Sequence, residues 1–210
     1  LQSGDQIGQD TLWRYAFDSL WLGIAVAISC LSLAVVLTFA QRHADSRITK
    51  GAIRVATLGY ALPGALLAVG LLAPLGVIDQ SLSRFARDTF GFNQGLLLTG
   101  TSIILVYALS VRFLTVAFNA TSGGMAKIPP ALDAAARSLG ATPRRVLWRI
   151  HIPLLSPSLA AAAALVFIDT LRELPATLIL RPFNLETLAT RVYRLASDEK
   201  LAEASTAALM

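Results

Sequence analysis

Long uncharged runs alternate with short charged ones along this chain. Ser19 to Ala40, Val55 to Ile78 and Thr89 to Val111 contain no Asp, Glu, Lys or Arg, and a fourth run from Ile152 to Ile168 is uncharged until it meets Asp169. A helix that crosses a bilayer needs about 20 mainly apolar residues. The first three runs meet that length directly, and the fourth meets it if Asp169 is accommodated near its far end. A buried core helix is the alternative for any one run. Three or four such runs in 210 residues favour spanning helices throughout.

The pattern predicts an all-α, polytopic bundle of about four complete spans with the start of another. Its divisions are an N-terminal flank over 1–18, a membrane domain over 19–180 that includes a polar loop over 119–153, and an outer-side loop with the start of a truncated last helix over 181–210. The second run, "YALPGALLAVGLLAPLGVI", holds Pro63, Gly64, Gly70, Pro74 and Gly76. Such residues are tolerated in membrane helices where neighbours re-satisfy the freed backbone groups, and they mark either bends along a pathway or close helix packing.

Composition strengthens the membrane reading. The chain is 55% hydrophobic and 15% charged, with a mean hydropathy of +0.62, whereas soluble domains carry about 25% charge. The net charge of +5 fits an anionic membrane surface. Arg42, Arg47, Lys50 and Arg54 cluster after the first run, and Lys127, Arg137, Arg144, Arg145 and Arg149 before the fourth; Arg84 and Arg87 alone follow the second. If helices alternate, the two basic clusters share a side, and the positive-inside rule makes it cytoplasmic. Arg181, Arg191, Arg194 and Lys200 work against that count, offset in part by Glu186, Asp198 and Glu199. Cys30, the single cysteine, lies in an apolar run and has no internal disulfide partner. No signal-peptide pattern opens the sequence, and both ends are expected to be cuts from a longer chain.

The most fully specified stretch is polar: "ALDAAARSLGATPRRVLWRIHIPLL", residues 131 to 155. Pro129 and Pro130 suit a first helical turn. Leu132, Ala135, Ala136 and Leu139 then form an apolar stripe at three- and four-residue spacing. Gly140 fits the left-handed position that ends a helix, and Thr142 with Pro143 restarts one as N-cap and first residue. Val146, Leu147 and Ile150 are expected on one side of the second helix and Arg144, Arg145 and Arg149 on the other, with Pro153 closing the unit. Two short helices about a glycine corner make a knob suited to docking. The alternatives are an amphipathic loop on lipid headgroups and a membrane-anchored helix-turn-helix that reads DNA, although a unit anchored at both ends lacks the reach for a groove.

The loop resembles the EAA loop of binding-protein-dependent ABC importer permeases, in which Glu-Ala-Ala is followed by three residues, Gly, nine residues, Ile, one residue and Leu-Pro. Ala135, Ala136, Gly140, Ile150 and Pro153 fall on that spacing, while Ala134 replaces the Glu and Ile152 the Leu. Asp133, one residue earlier, is a candidate for the missing carboxylate. Further, "YALPGALLAVGL" and "FIDTLRELPATLILRPFNLETLATRVYRLASDEKLAEA" resemble the C-terminal half of bacterial ferric-iron permeases. The resemblance implies a multi-pass subunit of the bacterial inner membrane that carries no catalysis and binds no cofactor. Its partners would be a cytoplasmic ATP-binding cassette subunit that uses the ATP, a periplasmic solute-binding protein, the other permease repeat and the lipid bilayer, with no nucleic acid. It implies coupling to the ATPase through Asp133, Ala134, Ala135, Ala136, Gly140, Ile150 and Pro153. The absence of a GxxxxGK[ST] phosphate loop agrees with nucleotide chemistry elsewhere. Ferric iron is the solute implied; thiamine, polyamines and phosphonates belong to related permeases.

Charges near membrane depth are the other candidates. A charge near mid-bilayer costs at least about 2.5 kcal/mol, so such groups face a cavity or each other. Asp169 can meet Arg172 and Glu173 on one helical face, and Pro175 breaks the helix after them. With Pro63 and Gly64 they form the expected pathway or gate, the alternative being a plain Asp169–Arg172 pair. Arg112 is expected near the exit of the third run, snorkelling. Neither His43 nor His151 has a second ligand at metal spacing, so no metal site is assigned. Trp13, Tyr15 and Trp21 suit an interfacial aromatic belt.

Overall fold

The computed structural model describes residues 9–43, 46–91 and 99–198; the expectations for the opening segment, for Glu199 and Lys200 and for the truncated last helix lie outside them. The described residues are mostly helical, with no strand among them. The long helices are α1 (Gln9–His43), α3 (Gly64–Phe90), α4 (Ser102–Ala126) and α7 (Ile152–Arg172); the short ones are α2 (Arg47–Ala56), α5 (Pro130–Ser138), α6 (Pro143–Val146), α8 (Pro175–Leu180) and α9 (Leu188–Ser197). Four stretches are long and apolar enough to span a membrane: Leu12–His43, Gly64–Thr89, Ser102–Ala126 and Pro143–Arg172.

Several boundaries differ from the sequence expectation. Residues 9–18, read as a flank, belong to α1. The second span starts at Gly64, because Val55–Leu62 forms the end of α2 and a tight turn at Gly59–Ala61. It runs on through Arg84 and Arg87 to Phe90, where Gly91 at φ +68° ends it. The charges suggested a loop there, but the helix simply turns its faces: Asp79 and Ser83, one turn apart, are buried while Leu82 and Phe85 are exposed. The third span continues to Ala126, which places Arg112 near its middle rather than at an exit.

The fourth span is the largest departure. Pro153 does not close the loop; helix runs unbroken from Pro143 to Arg172. Leu147–His151 widens into a π-helical stretch, with the Ile152 N–H bonded back to the Leu147 carbonyl. A wider turn gives the Pro153 ring room that a regular α-turn denies it. Pro157 removes one further N–H, and the Ser156 hydroxyl donates to the Pro153 carbonyl at 2.8 Å instead.

The chain divides into two compact units. One comprises the described residues within 1–25, 63–109 and 169–210. In it α8 packs on α3, the Thr99 N–H donates to Asp79 Oδ2 at 2.6 Å, and the Leu188 N–H donates to the Ser19 hydroxyl at 2.9 Å. Thr187 and Thr190 form a reciprocal cap on α9. The other unit comprises the described residues within 26–62 and 110–168. Its core includes Met125, Ile128 and Leu155 with Leu159 against them. Gly124 lies so close to Ser158 and Leu155 that a Cβ would overlap the Ser158 side chain, and at Gly59 a Cβ would overlap the Val111 carbonyl. The turn between α2 and α3 leaves carbonyls without helical partners; Thr115 Oγ1 donates to Thr57 O at 2.7 Å, and the Arg112 guanidinium donates to Leu62 O.

Candidate functional site

The loop between Ala126 and the fourth span is built by local rules. The Pro129–Pro130 pair starts α5, and Leu139 with Gly140 ends it. Gly140 sits at φ +77°, its N–H bonding Arg137 O and the Ala141 N–H bonding Ala136 O, both at 2.9 Å. These paired bonds are the left-handed helix stop expected at a glycine. Thr142 then caps α6, its hydroxyl accepting from the Arg145 N–H at 3.4 Å, with Pro143 as first residue.

What holds this corner to the rest of its unit is a buried charge cluster. Arg42, near the end of α1, donates its Nε–H to Asp133 Oδ2 at 2.6 Å. Its other nitrogens donate to the carbonyls of Met125 at 3.1 Å and Ile128 at 3.0 Å, which closes the end of α4. His151 Nε2 donates to Asp133 Oδ1 at 2.7 Å. His151 is fully buried, edge-on to Phe39 and tilted against His43, and its Nδ1 has no partner among the described residues. Burial pushes the Asp133 carboxyl up, but the hydrogen bonds from Arg42 and His151 and their attraction outweigh it and hold it below the usual carboxylate range. Both Asp133 oxygens are therefore spent inside the unit. Removing one member of such a cluster strands the others where water reaches them only in part.

The outer side of the loop is different in kind. Ala134, Ala135 and Leu139 are exposed, Leu139 at 86%. Between α5 and the start of the fourth span lies an open groove of about 450 Å³ floored by Ala135, Ala136, Val146 and Ile150. Arg145 and Arg149 line this groove beside Val146 and Ile150, so the apolar and basic sides expected of the second helix are not opposed. Leu147 lines a separate groove with Trp148, and the widened turn at Leu147–His151 shifts Arg149 and Ile150 off the regular α spacing. Of the coupling set, Ala134, Ala135, Ala136, Gly140 and Ile150 are at this corner, Asp133 is inside it, and Pro153 is in the span beyond.

In the other unit, Asp169 is half-buried, Arg172 exposed and Glu173 buried. No ion pair joins Asp169 to Arg172 among the described residues. Glu173 accepts from the Ala176 N–H at 3.4 Å, and its carbonyl accepts from Thr177 Oγ1 at 2.7 Å, at the break where α7 ends and Pro175 opens α8. Pro63 precedes and Gly64 begins α3. Asp79, fully buried in α3, was not among the sequence candidates. Nor were Arg42 and His151, because nothing local ties position 42 to 133 or 151. The one available signal for Asp79 was a carboxylate one turn from a serine on an otherwise apolar helix.

Comparison with known proteins fits this architecture. The model of the binding-protein-dependent transport system inner membrane component family matches residues 51–194. A Fe(3+)-transport system permease protein of Haemophilus influenzae is 26% identical over 189 residues, covering 90% of this chain and 34% of the relative. A Salmonella typhimurium protein named as a 2-aminoethylphosphonate transport system permease is 27% identical over 192 residues, covering 91% of this chain and 66% of the relative. The chain thus spans about a third of the first and just under two thirds of the second. A chain of a bacterial alginate ABC transporter, crystallised with its periplasmic protein, shares the fold at a TM-score of 0.76 and 17% identity, covering 96% of this chain and 73% of that one. The chain belongs to the binding-protein-dependent transport system inner membrane component family, the membrane-spanning permeases of ABC importers.

Proposed function

We propose that this chain is part of the permease of an ATP-driven importer and moves ferric iron, delivered by a periplasmic binding protein, across the bacterial inner membrane. The corner around Gly140 is its transmission handle. It seats on a separate cytoplasmic ATP-binding subunit, whose closure on ATP shifts the membrane helices; Asp169, Arg172 and Glu173, with Pro63, Gly64 and Pro175, line the path or its gate. The observation that carries the reading is the corner itself. It is an exposed helix–glycine–helix knob, tied by Asp133 to Arg42 and His151. A knob fixed to the ends of spanning helices can pass force to them, whereas a loop resting on lipid headgroups needs no such tie.

Iron is supported by similarity to proteins named as ferric permeases, including one of Actinobacillus pleuropneumoniae at 26% identity over 205 residues. A phosphonate is the second reading, favoured because the phosphonate relative is matched over more of its own length. The test is uptake of labelled ferric iron by cells carrying the full-length gene and its neighbours, wild type against Gly140→Asp at equal membrane abundance. Uptake that the variant loses supports solute and handle together. Wild-type cells that take up labelled 2-aminoethylphosphonate and no iron would replace the solute, and uptake unchanged in the variant would remove the handle.

A further inference from the structure

The exposed charges of the loop are of one sign. Between Lys127 and His151 the chain has five exposed cations, Lys127, Arg137, Arg144, Arg145 and Arg149. None of them is ion-paired within the described residues. The stretch contains one carboxylate, Asp133, and it is turned inward onto Arg42 and His151. The position where the EAA pattern has a Glu holds Ala134, exposed and uncharged. The groove on this loop is therefore apolar at its floor and edged by Arg145 and Arg149, with no carboxylate in its lining.

We infer that the partner surface seated on this loop is an apolar side chain flanked by carboxylates, carried by the cytoplasmic ATP-binding subunit. The inference rests on the proposed function and adds the chemistry of the contact. An apolar groove asks for an apolar filler, and unpaired guanidinium groups beside it ask for carboxylates, which arginine grips with two parallel N–H donors. Like charges facing each other across such a rim would be rejected, so the same pattern selects against ATPase subunits that present cations there. A partner shaped for a glutamate at position 134 would carry the wrong sign for this loop.

The test uses the full permease with its co-expressed ATPase subunit, purified in nanodiscs of phosphatidylcholine and, separately, of phosphatidylglycerol, with retention of the subunit as the readout. Wild-type retention is expected to fall about tenfold as salt rises from about 0.05 M to about 0.5 M. Arg145→Glu with Arg149→Glu should remove it by a similar factor at low salt, and Arg145→Gln with Arg149→Gln should fall between and lose most of the salt dependence. Ala134→Glu, an exposed change on a helix surface, should weaken retention. Stronger retention in Ala134→Glu would overturn the inference, as would retention insensitive to both salt and the arginine variants. An arginine effect confined to phosphatidylglycerol discs would assign the cations to lipid headgroups and overturn it too. Failure of wild type to retain any ATPase subunit in either disc would overturn the proposed function, and the inference with it.

Discussion

Two of the charged stretches that interrupt the apolar chain, 127–151 and 169–175, handle charge in different ways. In the first, the single carboxylate is held at 2.6 and 2.7 Å by two partners and buried, while the cations are exposed. In the second, Asp169 is half-buried, Arg172 is exposed, and no ion pair joins them. The difference separates two uses of charge in a membrane protein. A fully paired buried group fixes geometry, and its loss destabilises. A group left unpaired near the end of a span, such as Asp169, fixes no such geometry, and we propose that it works on a solute.

The largest effect should come from breaking the paired cluster. Asp133→Leu leaves the Arg42 guanidinium and the His151 Nε2 without their acceptor, at about 3–5 kcal/mol. Thermal unfolding in detergent should show a clear loss of stability; an unchanged melting temperature would place the cluster among ordinary surface pairs. The same carboxylate gives a pH signature. Its pKa is held below the ordinary 3.8, so its contribution is complete above that value and lost as pH falls through the lower folded value. The stability gap between wild type and Asp133→Asn should narrow as pH falls below about 4. A gap that closes near neutrality would contradict the geometry.

A smaller effect is expected at the corner. Gly140 has open space where a Cβ would go but sits at φ +77°, so Gly140→Ala pays backbone strain alone, about 1–2 kcal/mol. Gly140→Asn should recover part of it, because Asn tolerates the left-handed region. Equal melting temperatures for all three would show that the corner relaxes. The smallest effect on stability belongs to the second stretch: Arg172→Ala should shift unfolding by no more than about 0.5 kcal/mol while lowering solute uptake. A variant that melts early, or one that transports normally, would dissolve the contrast between the two stretches.

How much of this was legible in the sequence follows the same division. The α5–Gly140–Thr142–Pro143 corner could be read residue by residue because caps, prolines and a left-handed glycine act over four or five positions. The four spans were legible from hydropathy, since lipid imposes length on any helix that crosses it. Two things were not. The helix passing through Pro153 depends on a widened π turn that no propensity announces. The Arg42–Asp133–His151 cluster joins positions 91 and 18 residues apart, and only the packed fold brings them together. Asp79 was missed for a related reason: standing just past the end of an uncharged run, it is in fact on the buried polar side of a helix whose apolar side is exposed.

The most direct test of the account places a cysteine at Leu139, the most exposed apolar residue of the corner, in a Cys30→Ser background. A short thiol-to-amine cross-linker is then applied to membranes containing the full permease and its ATPase subunit. The account predicts a permease–ATPase adduct from Leu139→Cys and none from Phe183→Cys, an exposed position outside the loop. An adduct from Phe183→Cys and none from Leu139→Cys would contradict the claim that this loop is where the chain meets its motor.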